Sequence, residues 1–262
     1  METNTNKSKP DIMRQWANLI AILGAFFLNI YVNIAPPGGK TIGEISSTIF
    51  RDVLIIPASY AFAIWGLIYF GLISFGIYQV LPVQRENEIL RRCGYFLVGA
   101  SLAQIIWVFL FQYQLFTLSV LAMLVILSCL IWLYLKLRIS YERVPKKDKW
   151  LVHHPISIYF AWISVATIIN VASTLHNLGW NTTEQVATVW TVIMLIVGAF
   201  IAAIINIQKQ DIAYTLVFIW AFLAIAVRHL DIQIISGTAV ILALGLAVLV
   251  FLKITKFSSF NS

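Results

Sequence analysis

Acidic residues are scarce in this chain, 11 among 262, and every one falls in a tail, a loop or the end of an apolar run. The apolar interiors therefore lack the paired carboxylates used for general acid/base work, and they lack the mid-membrane ionisable groups by which pumps bind a coupling ion. No lysine lies in the middle of an apolar run, so a retinal Schiff base has no amine to form on. The two cysteines, Cys93 and Cys129, show no metal or redox spacing and read as small apolar core residues. His153, His154, His176 and His229 sit near the ends of apolar runs, where solvated or capping roles prevail. Adjacent His153 and His154 would diverge by about 100° on a helix, a poor geometry for sharing a metal. No metal site, no cofactor requirement and no enzymatic activity are expected.

What the chain has in abundance is apolar surface: 60% hydrophobic residues, 11% charged and a mean hydropathy of +0.87. These values indicate an integral membrane protein of all-α class. Runs of about 20 apolar residues suggest a polytopic transmembrane bundle of about eight spans, near 15–35, 58–81, 93–113, 115–137, 155–175, 186–206, 212–227 and 232–252. The first run is too long and too aromatic for a cleaved signal peptide, and the polar residues before it are expected to be a disordered tail. Of the 18 Lys and Arg residues only Lys40, Arg51 and Arg228 would lie opposite the N-terminal side. That bias places both termini in the cytoplasm. The net charge of +7 then reports orientation, and without a nucleic-acid module no nucleic-acid partner is expected. The basic run Lys146 to Lys149 fits topology enforcement better than lipid or protein docking. Asn181, Thr182 and Thr183 form a glycosylation sequon of little weight.

The connection from Ala35 to Pro57 is too long and apolar for a plain linker. It reads either as a lid or as an amphipathic segment on the membrane surface. Runs three and four meet near Gln112 to Gln114 as an antiparallel hairpin. Gly99 with Ala103, and Gly198 with Ala202, are small-xxx-small pairs, better explained by internal packing than by dimer contacts. Trp16, Trp150 and Trp180 suit the interfacial aromatic belt. Trp220, Ala224 and Arg228 echo the spacing of Trp162, Ala166 and Asn170, an echo that three positions can produce by accident.

Tyr159, Trp162, Ala166 and Asn170 fall within about 80° on a regular helix. An amide and an indole N–H on one face need partners inside protein, so the face turns to other helices or to a pocket. Trp65, Tyr69, Gln104, Trp107, Trp132, Trp190 and Trp220 are further aromatic and amide groups inside apolar runs. Several together would line a site for a flat apolar ligand.

The segment PISIYFAWISVATIIN, with Trp162, Ala166, Thr167 and Asn170, resembles the fifth helix of the TspO/MBR family. These are the tryptophan-rich sensory proteins, related to the mitochondrial translocator protein or peripheral benzodiazepine receptor. PASYAFAIWGLIYFGL, with Pro57, Tyr60, Phe62, Trp65 and Tyr69, is similar to that family's second helix, and Gln104 with Trp107 to its third. The usual double proline is reduced to Pro57, Tyr60 stands where the family has tryptophan, and Phe62 to Trp65 is one residue short. The resemblance implies a polar tail over 1–14, a five-helix core over 15–175 and three additional helices over 176–262. It implies a homodimer in the lipid bilayer, acting as a sensor, receptor or regulator that binds a small flat hydrophobic ligand such as a porphyrin or other tetrapyrrole. Transport of a small hydrophobic or amphipathic metabolite and chemical modification of a bound porphyrin are the alternatives. Tyr60, Phe62, Trp65, Tyr69, Gln104, Trp107, Trp162, Ala166 and Asn170 are the ligand-binding candidates. A bacterial cytoplasmic membrane is the expected location.

Overall fold

The computed structural model describes residues 5–139, 142, 144–180 and 183–259, so Asn181 and Thr182 of the sequon lie outside the described residues. All regular structure among the described residues is helical. In chain order the helices are α1 (Thr5–Ile34), α2 (Ile42–Thr48), α3 (Ile64–Val80), α4 (Glu88–Arg92), α5 (Phe96–Gln112), α6 (Phe116–Lys136), α7 (Lys146–Asp148), α8 (His154–Asn177), α9 (Glu184–Lys209), α10 (Ile212–Arg228) and α11 (Gln233–Ser259). A 3₁₀ turn, Ser59–Ala63, leads into α3, and a π turn, Lys149–His153, joins α7 to α8.

Among the described residues six helical stretches are long and apolar enough to cross a membrane, whereas α5 and α10 have 17 residues each. At 1.5 Å per residue the last two reach about 26 Å, the lower limit for a span. Two boundaries differ from the sequence expectation. Helix α1 begins at Thr5, inside the stretch expected to be disordered, and the basic run at Lys146 is helical rather than a loop. Hydropathy marks where lipid is, but the hydrogen-bonded helix continues past it.

The chain forms two compact units. The first comprises Met1–Ile42 and Ile64–Phe160. Here α5 and α6 pack as the expected hairpin, turned by Gln114 at φ 59°. A Cβ on Gly99 of α5 would lie 3.1 Å from Cys129 Sγ on α6, so this glycine serves internal packing. Helix α3 lies along α1, with Gly76 against Leu19, and Gly71 meets Pro155. Ionic ties fasten one end of the unit: Asp11 pairs with Arg14 and Arg91 at 3.0 Å each, and Glu142 accepts from Arg92 at 2.7 Å and Arg138 at 2.8 Å. The buried Asp148 accepts from the Tyr78 hydroxyl at 3.0 Å. This carboxylate therefore fixes the start of the long α7–α8 stretch in its unit.

The second unit comprises Gly43–Ala63 and Ala161–Ser262. Helices α9, α10 and α11 pack together, and Gly198 lies against Phe218 and Phe222 of α10. In the 43–63 segment Ile45 and Phe50 are fully buried, which a segment lying loose on a membrane surface would not achieve. One stripe of α10 anchors this segment. Trp220 Nε1 donates to the Ala61 carbonyl at 3.1 Å, Ala58 N to the Ala224 carbonyl at 3.0 Å, and Arg228 to the Pro57 and Arg51 carbonyls at 3.4 and 3.3 Å. At i, i+4, i+8 spacing, Trp220, Ala224 and Arg228 thus form one strap along α10.

Candidate functional site

In the first unit Gln104 on α5 sits at the centre of a chain of hydrogen bonds. Its Oε1 accepts from the Tyr159 hydroxyl at 2.6 Å, and its Nε2 donates to the Tyr69 hydroxyl at 2.7 Å. Tyr69 in turn donates to the Ala25 carbonyl at 3.3 Å. All three side chains are buried, so each bond satisfies a group that lipid could not. Trp65 lies beside this chain, with ring centroids 5.6 Å from Tyr69 and 6.2 Å from Tyr159. Trp107, on the same helix as Gln104, stacks on Phe111 at 5.1 Å. Tyr69, Gln104 and Tyr159 bond to one another and to backbone.

The second unit holds the other candidates. Phe62, in the 3₁₀ turn, meets Trp162 of α8 edge to face, with centroids 6.0 Å apart. Trp162 is 1% exposed, and its indole Nε1–H has no hydrogen-bond partner among the described residues. A buried donor left unpaired is uncommon and costs about 1–3 kcal/mol. Ser164, two residues on, accepts from the Tyr214 hydroxyl at 3.0 Å, so α8 is tied to α10 just beyond the tryptophan. Further along, Ala166 is partly exposed and Asn170 is buried. Tyr60 is 44% exposed and packs on Trp220, with centroids 5.3 Å apart.

The nine candidates therefore fall into groups by unit. Trp65, Tyr69, Gln104 and Trp107 belong to the first; Tyr60, Phe62, Trp162, Ala166 and Asn170 to the second. Trp132 is 57% exposed, the orientation of a lipid-facing side chain. Sequence reasoning counted Trp220 among the aromatic groups that could line a site and Arg228 in the charge bias, but did not read the two as a strap.

A charged cavity in the second unit also escaped the sequence reading. It has a volume of about 640 Å³ and is lined by the 51–54 segment, the end of α8, the start of α9 and the turn between α10 and α11. His229 in its wall is 6% exposed, and its Nε2 has no partner among the described residues. Burial, and then the Arg228 guanidinium, hold its pKa below the ordinary histidine value. Among the described residues no three His, Cys, Asp or Glu side chains are grouped so as to hold a metal ion.

Searches of curated proteins and of solved structures found no match. A family model described as "TSPO-like protein" matches residues 15–252, which runs through α9 and α10 and most of α11. With nearly the whole chain matched, this membrane protein belongs to the TSPO-like, TspO/MBR-related family.

Proposed function

We propose that the protein is a ligand-binding sensor or regulator that takes a flat hydrophobic molecule, of which a porphyrin is the model, on the Trp162 face of the second unit. The observation that carries the proposal is the buried indole N–H of Trp162, which lacks an acceptor. A ligand with an acceptor atom at the edge of a flat apolar body satisfies that donor, and its apolar body packs beside the mutually perpendicular Phe62 and Trp162 rings. Ala166 supplies space on the same helix and Asn170 a second polar group. Tyr69 and Gln104 act differently in this reading, fixing α1, α3, α5 and the start of α8 in register, while Trp65 and Trp107 give that unit its aromatic faces. Affinity comes from apolar burial, about 25 cal/mol per Å² before ordering costs. No resident cofactor and no covalent step are required. The protein acts within the bilayer of a bacterial cytoplasmic membrane, both termini inside, and a homodimer is compatible with this role.

The test is titration of the full chain in lipid nanodiscs with protoporphyrin, followed by tryptophan fluorescence. Saturable quenching that is reduced in the Trp162→Phe variant supports the proposal. Quenching that rises linearly without saturation, as partition into lipid would give, refutes it.

A further inference from the structure

Several buried polar groups in the first unit stand apart from the fully bonded Gln104. Gln79 on α3 is 0% exposed, and neither its Oε1 nor its Nε2 has a hydrogen-bond partner among the described residues. Gln15 on α1 is 2% exposed, with its Nε2 unpartnered. Asn18, fully buried on the same helix, donates from Nδ2 to the Gly94 carbonyl at 2.9 Å but leaves its Oδ1 without a donor. Arg14 beside them spends Nη1 on Asp11 and on the Arg91 carbonyl, and its Nε and Nη2 are buried and unpartnered. One orphan of this kind is uncommon, and so many on two packed helices call for a partner that is not a side chain.

The register of α1 and α3 brings these groups to one level. The two helices pack antiparallel: the Tyr69 hydroxyl bonds to the Ala25 carbonyl, and further along α3 Gly76 comes so close to Leu19 that a Cβ would meet its Cδ1 at 2.7 Å. The next turn of α3 therefore sets Gln79 level with Gln15. Asn18 is the i+3 neighbour of Gln15 and the i+4 neighbour of Arg14, so all three share one face of α1.

The orphans are mixed in kind. Gln79 Oε1 and Asn18 Oδ1 accept, whereas Gln79 Nε2, Gln15 Nε2 and the Arg14 Nε and Nη2 donate. An anion would serve the donors and face two carbonyl oxygens; a cation would do the reverse. Water both donates and accepts, and internal waters typically hold such groups. These atoms are closed to solvent, which admits a guest of that size and no larger. The two ends of the Gln79 carboxamide point apart, so a single water cannot serve both.

We infer that the α1–α3 interface binds a small cluster of internal water molecules that bridges Gln79 to Gln15 and Asn18. This end of α1 is then held to α3 by water, where the Tyr69 level is held by a direct bond. The site lies in the first unit and shares no residue with the Trp162 face, so either can fail without the other.

The test is proton-detected solid-state NMR of the full chain in lipid bilayers, reading transfer of magnetisation from water to glutamine side-chain amides under conditions of slow amide exchange. Gln79 and Gln15 are assigned by the loss of their signals in Gln79→Met and Gln15→Met. Gln104, buried and bonded at both ends to tyrosines, is the internal control. Transfer to Gln79 and Gln15 is expected to be several-fold faster than to Gln104, and transfer to Gln15 should fall in Gln79→Met as the cluster loses its central anchor. If Gln79→Met does not fold, transfer to Gln79 read in Gln15→Met makes the same test. The inference is overturned if Gln79 receives magnetisation no faster than Gln104, if each amide is indifferent to loss of the other, or if a scalar coupling across a direct Gln15–Gln79 hydrogen bond is seen.

Discussion

Replacing Trp162 by Phe separates a binding role from a packing role, because the two make opposite predictions for the empty protein. The indole Nε1–H is buried without an acceptor, so removing it relieves a desolvation penalty of about 1–3 kcal/mol. The smaller ring leaves a void of a few tens of Å³, which at ~24 cal/mol per Å³ costs about 1 kcal/mol. The two nearly cancel or favour the variant, so the empty Trp162→Phe protein is expected to be as stable as the parent or more so by up to about 2 kcal/mol. The edge-to-face contact with Phe62 survives in kind. Porphyrin affinity moves the other way, since a neutral hydrogen bond contributes about 0.5–1.5 kcal/mol, a loss of roughly two- to twelvefold. Thermal unfolding of the empty protein and a porphyrin titration on the same preparation give both quantities. Eight of the nine tryptophans remain to report quenching. A variant that is less stable by 2 kcal/mol or more, with unchanged affinity, would refute the reasoning and make Trp162 a packing residue.

Three further outcomes follow from the geometry. Tyr159→Phe removes the donor to Gln104 Oε1 and should destabilise the first unit by about 1 kcal/mol, since buried bonds between membrane helices measure ~0.6 on average and ~1.7 at most. A double-mutant cycle with Gln104→Leu should show coupling of that size, and strict additivity would contradict the network. Gly38→Ala should destabilise by roughly 1–3 kcal/mol, because a Cβ there would overlap the Gln112 carbonyl oxygen, a backbone atom; unfolding in denaturing detergent checks it. The depressed pKa of His229 makes its stabilising contribution complete above about pH 6.5, and this is lost as pH falls through the lower value of the folded protein. The melting temperature should therefore fall on acidification from 7.5 to 5.5, and His229→Gln should flatten the slope.

Much of the fold was legible because lipid makes the rule simple: a long apolar run must be a helix. The run expected at 58–81 is the 3₁₀ turn and α3, Ser59–Val80, and that at 115–137 is α6, Phe116–Lys136. The errors lie where helices leave the apolar layer, at Thr5 and Lys146, because charge there says nothing against a helix. At Lys146 the helix is held by Asp148, whose partner Tyr78 is 70 residues away, and no local pattern reveals such a partner. The candidate residues were legible as types on a face but not as bonding partners. Tyr69 and Gln104 looked like Trp162 in sequence, polar or aromatic groups within apolar runs. Only coordinates distinguish the first two, whose bonds are made, from the third, whose bond is not. The charged cavity was illegible for a similar reason. Asp52, Glu184, His229 and Asp231 each look like ordinary loop or end residues, and they line one volume only because α10 straps the first segment down.

The most direct test of the central claim is the ¹⁵N indole spectrum of the full chain in nanodiscs, with Trp162 assigned by its loss in Trp162→Phe. On addition of protoporphyrin, the Trp162 N–H proton is expected to shift downfield, as it finds an acceptor, and to exchange more slowly with water. A Trp162 resonance unmoved at saturating porphyrin would contradict the claim.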